Sequence, residues 1–151
     1  FSEFLFVKEI FNFVNKMNEA SINLAIISNQ PDIARGLLSA DELELMNDLI
    51  RKELGIKNIF VCPHDDSDVC SCRKPKFGLI ELAKEKMGFD KKRVIFVGDG
   101  WKDMEAGHRF GVQTVLLRTD YNTSVRGDII VKNLNDLVDI IIAKELLNKD
   151  S

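Results

Sequence analysis

The sequence predicts an α/β domain in three layers, a mostly parallel sheet with helices on both faces. Three observations carry that expectation. Short apolar runs alternate along the chain with longer segments whose apolar residues recur at helical spacing. The runs are continuously apolar rather than alternating with polar residues, the pattern of strands buried on both faces. Most of them are followed by a glycine or a polar turn and then a helix start, which is the rhythm of strand–helix–strand crossovers.

The elements follow in order. Phe6, Ile10, Phe13, Val14 and Met17 predict a helix from Glu3 to about Glu19. Leu24-Ala25-Ile26-Ile27 predicts a buried strand that feeds the loop Ser28-Asn29-Gln30-Pro31. Ser39, with Glu42 three residues on, is a capping box for a helix through about Leu54, which Gly55 terminates. Asn58 to Val61 is a second strand, and it runs straight into a cluster of cysteines. Phe77 to Met87 reads as a helix ending at Gly88. Val94-Ile95-Phe96-Val97 is the strongest strand signal and ends at Gly98-Asp99. A helix over Lys102 to Phe110 closes at Gly111, and Val112 to Leu117 is the next strand. Ile129 to Val131 is a last short strand, after which Asn133 caps a helix through about Leu147.

Composition limits the function. With 151 residues and 45% hydrophobic content, the chain is expected to form one domain over 1–151 with one buried core. Charges of both signs are interspersed, 30% of residues in all, for a net −3. That balance favours an ordinary soluble protein, with neither a nucleic acid nor a membrane surface as its main partner. One cytoplasmic domain, monomeric as suits a single domain and acting on a small molecule, is the expectation. No apolar run is long enough to span a bilayer.

All three cysteines fall within eleven residues, as Cys62-Pro63-His64 followed by Cys70-Ser71-Cys72. Three thiolates and an imidazole are a complete tetrahedral set for Zn²⁺. A disulfide is the competing reading, but Cys70 and Cys72 are too close in sequence to bridge each other without strain. With Cys62, His64, Cys70 and Cys72 all bound, the metal has no open position, so a structural role is expected. The loop then runs directly into Arg73-Lys74-Pro75.

In open parallel sheets, ligands bind at the carboxyl ends of the strands. Ser28-Asn29-Gln30 and Gly98-Asp99-Gly100-Trp101-Lys102-Asp103 lie at two such ends, and Arg73-Lys74 precedes a helix. A hydroxyl, a fixed cation and paired carboxylates together suit a phosphoryl group and a divalent metal. Singly, each has a plainer reading: loop residues, a surface lysine, helix-capping aspartates.

Ser28-Asn29-Gln30, Lys74 and Gly98-Asp99-x-x-x-Asp103 resemble the second, third and fourth motifs of the haloacid-dehalogenase-like superfamily of phosphotransferases. The cysteine loop joined to Arg-Lys-Pro resembles that superfamily's zinc-bearing branch, which handles heptose bisphosphate and histidinol phosphate. Ser28-Asn29-Gln30-x-x-Ile33-Ala34-Arg35-Gly36 is similar to the heptose-type pattern. The resemblance covers about Leu24 to Arg118. It implies a Rossmann-like fold and a Mg²⁺-dependent phosphomonoester hydrolase of carbohydrate metabolism, with Zn²⁺ structural. Heptose bisphosphate is the first expectation for the substrate and histidinol phosphate the second. Ser28 and Asn29 would hold the phosphoryl group and the substrate, and Lys74 would neutralise developing charge. Asp99 would bind Mg²⁺, Asp103 would support the metal or Lys74, and Arg73 would reach a distal phosphate. Gly100 stands where the heptose-type pattern tends to have lysine, which removes one expected substrate contact.

One motif of the pattern is missing. Asp-x-Asp-Gly-Thr at the end of a hydrophobic strand, where the first aspartate is the nucleophile, occurs nowhere in the chain. Asp66-Ser67-Asp68 lies inside the cysteine loop without a preceding strand and reads as a solvated turn. The absent strand would be the central one, between those ending at Ser28 and at Asp99. Two unpaired strand edges facing a gap are costly. The expectation is therefore an N-terminally incomplete domain lacking roughly 20–40 residues, inactive alone, with the non-Met start in agreement, or else a different segment that fills the gap. A non-catalytic, zinc-stabilised domain that binds phosphorylated ligands or a partner protein is the alternative.

Overall fold

Parallel strands and helices alternate through the computed structural model, which describes residues 6–149. In chain order they are α1 (Glu9–Glu19), β1 (Ala25–Asn29), α2 (Ala40–Leu54), β2 (Asn58–Cys62), α3 (Gly78–Met87), β3 (Ile95–Gly98), α4 (Trp101–Phe110), β4 (Gln113–Leu117), β5 (Ile129–Val131) and α5 (Leu134–Lys149). Local chemistry sets most boundaries. Ser39 and Glu42 exchange the two hydrogen bonds of a capping box at the start of α2, and Gly55 takes the left-handed conformation that ends it. Gly88 and Gly111 close α3 and α4 in the same way.

Several boundaries shift from the sequence expectation, most by one residue, and three of the shifts have consequences. The first helix begins at Glu9 rather than Glu3, with Lys8 providing no side-chain cap; Glu3 to Leu5 lie outside the described residues. A 3-10 turn over Lys91–Arg93, capped by the Asp90 side chain, intervenes before β3, so that strand starts at Ile95. Ser28 and Asn29 are the last two residues of β1 rather than loop residues, because pairing with β2 continues to the Asn29–Cys62 register. Pairing outlasts the apolar run.

The layers are as expected. One core gathers Phe13, Val14 and Met17 of α1, Leu54 of α2 and Leu137 of α5 against Val115 and Val131 of the sheet. On the other face, Ile80 of α3 and Ala106 and Phe110 of α4 enclose Val112, with Ile27 and Phe96 packed against them. Met17, Val115, Leu116 and Leu137 are fully buried; each such side chain contributes about 1.5–3 kcal/mol.

The sheet itself is split. β1 pairs only with β2, and β3, β4 and β5 form a separate three-stranded piece, every pairing parallel. Helices on both faces bridge the two pieces, yet among the described residues no strand hydrogen-bonds the facing edges of β1 and β3. Between them lies a cleft of about 680 Å³ lined by Ile10, Phe13, Ile27, Val94, Phe96 and Leu137. β4, paired on both sides, has three buried residues, whereas β1 and β3 have none. The gap lies where the sequence places a missing central strand.

Candidate active site

Lys74 spans the mouth of the cleft. Its ammonium donates to the Ile27 carbonyl of β1 at 3.5 Å and pairs with Asp103 of α4 on the other half-sheet. Both side chains are largely buried, 12% and 15% exposed, so the pair is screened far less than a surface ion pair. The lysine's backbone is fixed as well. Asn29 accepts from Lys74 N–H at 3.1 Å and donates to the Lys74 carbonyl at 3.2 Å. That reciprocal clasp makes Asn29 a holder of Lys74 in this structure. Ser28, one residue earlier in β1, accepts at Oγ from Gln30 Nε2 just past the strand end, at 3.0 Å.

Asp103 serves two neighbours. One carboxylate oxygen pairs with Lys74 and the other accepts from Gly100 N–H at 3.1 Å, capping the first turn of α4. One side chain thus caps the helix and pairs with Lys74. This packing requires Gly98, since a Cβ there would stand 2.4 Å from Asp103 Cβ. Asp99 follows at the carboxyl end of β3, where its carboxylate accepts from the Tyr121 hydroxyl and its carbonyl from Asn122.

Arg73 lies at the edge of this group. Its Nε donates to Asp66 at 2.7 Å and Nη1 to the His64 carbonyl at 3.3 Å. Lys102 Nζ stands 3.6 Å from the same Asp66 oxygen, so two cations converge on one exposed carboxylate. Arg73 holds the Asp66 carboxyl below its ordinary value. Arg35 grips Asp65 with two parallel bonds of 2.8 and 2.7 Å, which brings that carboxyl down to about 2. Asp66-Ser67-Asp68 is a turn: Asp68 accepts from Asp65 N–H at 2.7 Å, and Asp66 is 69% exposed.

The cysteine loop closes as its spacing suggests. The ligand atoms of Cys62, His64, Cys70 and Cys72 all lie within 4.8 Å of one another, and no disulfide joins them. Neighbouring donors of a tetrahedral Zn²⁺ stand about 3.6–3.8 Å apart. His64 Nδ1 is 3.4 Å from Cys62 Sγ and 3.3 Å from Cys72 Sγ, and Cys62 Sγ is 3.9 Å from Cys70 Sγ. Only Cys62 and Cys72, at 2.8 Å, sit clearly tighter. Burial, followed by its two neighbouring cysteines, pushes the Cys72 thiol up to about 12. Three sulfurs and an imidazole nitrogen converging at these distances make a donor set that fits a bound metal ion. The loop is buttressed by Gly78, whose N–H donates to the Ser71 carbonyl at 3.0 Å.

Sequence reasoning did not single out Arg35, Asp65, Lys102, Tyr121 or Asn122 as contributors. Arg35 was part of the pattern Ile33-Ala34-Arg35-Gly36, but its partner lies thirty residues away. Tyr121 and Asn122 sit in the loop after β4, and the position of that loop at a strand's carboxyl end was the available signal.

A lysine held between two half-sheets, with aspartates at the adjacent strand end and a second pair of cations nearby, is an arrangement able to receive a phosphoryl group. The profile of the haloacid dehalogenase-like hydrolases matches residues 6–111. The chain belongs to the haloacid dehalogenase-like hydrolase family. It is 37% identical over 124 residues to D-glycero-alpha-D-manno-heptose-1,7-bisphosphate 7-phosphatase of Photorhabdus laumondii, covering 74% of this chain and 68% of that one. It is 31% identical to the enzyme of the same name from Campylobacter jejuni, over 95% of this chain and 86% of that one. The match to D-glycero-beta-D-manno-heptose-1,7-bisphosphate 7-phosphatase of Pseudomonas aeruginosa, at 35% identity, takes in 70% of this chain and 62% of the relative, under two thirds of its length. The fold superposes on the D,D-heptose 1,7-bisphosphate phosphatase of B. bronchiseptica, crystallised with magnesium and phosphate, with a TM-score of 0.86. That alignment has 22% identity and covers 95% and 87% of the two chains. Among the described residues, no helix is long and apolar enough to cross a membrane.

Proposed function

We propose that this chain provides most of the active site of a Mg²⁺-dependent phosphatase acting on a small phosphorylated sugar, with heptose 1,7-bisphosphate as substrate. The observation that carries the reading is Lys74, held by Asn29, Ile27 and Asp103 at the mouth of the cleft between β1 and β3. A cation fixed there before substrate arrives stabilises a phosphoryl group without reorganising during reaction. Names of the relatives support the sugar.

The nucleophile belongs to a strand that fills the cleft. Two parallel edges with an apolar floor suit one extended segment, and its carboxyl end would emerge beside Lys74 and Asp99. A carboxylate there attacks phosphorus, the sugar oxygen leaves with a proton from a neighbouring acid, and water then cleaves the acyl phosphate to free phosphate. Asp99 and Asp103 offer only oxygen donors, the hard ligands that suit Mg²⁺, whereas the thiolate loop suits Zn²⁺. When bound, Mg²⁺ would supply further neutralisation of phosphoryl charge. Ser28 donates to the phosphoryl group, and Asp103 holds the Lys74 ammonium in place.

Arg73 and Lys102 would receive the distal phosphate, which takes over the place Asp66 now holds between them. Lys102 thereby offers a cation close to the position where Gly100 has none. Zn²⁺ on Cys62, His64, Cys70 and Cys72 would hold the loop that delivers Arg73 and Lys74. Three unpaired thiols kept as ligands fit a reducing cytoplasm, and the mixed charge fits a monomer working on a metabolite.

Protein with a cleft strand in place should release phosphate from heptose 1,7-bisphosphate, fail without Mg²⁺, and work more slowly on histidinol phosphate or on heptose monophosphate. Equal rates on all three would remove the distal-phosphate role. Ligand binding with no release at all would favour a non-catalytic domain.

A further inference from the structure

Asn122 is among the few polar side chains that are buried among the described residues, 2% exposed. Its full bonding capacity is spent locally. Nδ2 donates to the Asp99 carbonyl and to the Leu117 carbonyl, each at 2.8 Å, and Oδ1 accepts from Thr119 N–H at 2.9 Å. Arg118 in turn donates to the Asn122 carbonyl. One side chain thus ties the loop leaving β4 to the loop leaving β3. A buried amide with every donor and acceptor met is a rigid joint, because displacing it strands several polar groups at once.

Its neighbour Tyr121 is the opposite case. The ring is 76% exposed, so packing does not explain its place. What holds it is the hydroxyl, which donates to Asp99 Oδ2 and raises the phenol's own pKa in doing so. Asp99 is therefore gripped at both ends, its backbone by Asn122 and its carboxylate by Tyr121. That bond is made to Oδ2, and Asp99 itself sits just past the carboxyl end of β3, next to the first turn of α4 that carries Asp103.

We propose that Tyr121 and Asn122 are positioning residues for the Asp99 carboxylate, which the loop after β4 presents to Mg²⁺ in one orientation. The inference rests on the reading of Asp99 as the metal-binding carboxylate. Partners that orient a metal-ligating side chain commonly change metal affinity by about 10–100-fold when lost. Tyr121→Phe removes only an exposed hydroxyl and leaves the fold intact. Asn122→Asp keeps the acceptor for Thr119 but cannot donate to Asp99 or Leu117.

The test is calorimetric titration of Mg²⁺ into wild-type protein with its cleft strand in place, and into Asp99→Asn, Tyr121→Phe and Asn122→Asp. Melting temperatures are recorded in parallel. Asp99→Asn should abolish binding. Tyr121→Phe should weaken it about tenfold at unchanged melting temperature, near the lower end of that range, and should raise the Mg²⁺ concentration needed for half-maximal rate more than it lowers kcat. Asn122→Asp should weaken binding as well. Unchanged or tighter Mg²⁺ binding in Tyr121→Phe would overturn the positioning role while Asp99 kept its own. Undiminished binding in Asp99→Asn would instead overturn the metal assignment on which the inference rests.

Discussion

Lys74→Ala lowers kcat for phosphate release by about 10²–10³, the loss expected when one preorganised electrostatic contact to a developing charge is removed. The size follows from how the lysine is held. It is 12% exposed, its backbone is clasped by Asn29, and its ammonium is shared between Ile27 and Asp103. Little of its charge is spent on water. The substitution also leaves the Asp103 carboxylate without its cation, and breaking a fully buried pair costs about 3–5 kcal/mol; with both groups partly solvated the cost here is smaller. Steady-state rates measured beside a denaturant midpoint separate the two effects. A rate loss that vanished after correction for the folded fraction would reduce Lys74 to a structural role. Lys74→Arg is not a rescue, because a planar fork cannot place one charge between Ile27 and Asp103 as an ammonium does.

Removing the metal from the cysteine loop is the second large effect. A ligand that binds only the folded state stabilises it by about 4 kcal/mol when present at a thousand times its Kd. For a chain near this length that corresponds to a melting-temperature drop of roughly 8–16 °C. Between Cys62 and Cys72, ahead of the well-held Lys74, Cys62 is the one fully buried side chain, and the other contacts are mostly exposed and polar, Arg35 with Asp65 among them. A chelator, or Cys72→Ser, should therefore lower the melting temperature and speed hydrogen exchange over 62–75 before it affects β4. Activity should fall with it, since Arg73 and Lys74 are delivered by that loop. Melting that stayed unchanged after verified removal of the metal would contradict the clamp.

Much of this was legible in the sequence, for identifiable reasons. Helices and strands were readable where a single local rule governs them, as with Ser39 and Glu42 at one helix start and Gly55, Gly88 and Gly111 at three ends. The cysteine spacing could be read because four ligands within a short loop have few other geometries open to them. The split in the sheet was also foreseen, from a missing strand rather than from any residue present. What stayed hidden depends on distant partners. Pairing with Cys62 carried β1 on through Ser28 and Asn29. Lys102 meets Arg73 only because both approach Asp66 in space. Nothing local marks Asn122; its amide is buried and bonded to the Asp99 carbonyl 23 residues away.

The central claim is that two half-sheets form one phosphatase site, completed by a carboxylate-bearing strand in the cleft between β1 and β3. It is tested most directly by phosphate release from heptose 1,7-bisphosphate with Mg²⁺, comparing the 151-residue chain with the same chain joined to an extended apolar segment ending in Asp-x-Asp. The account predicts no release above background from the first, and turnover from the second that Lys74→Ala suppresses. Equal turnover by the two proteins would place the nucleophile within these residues and contradict it.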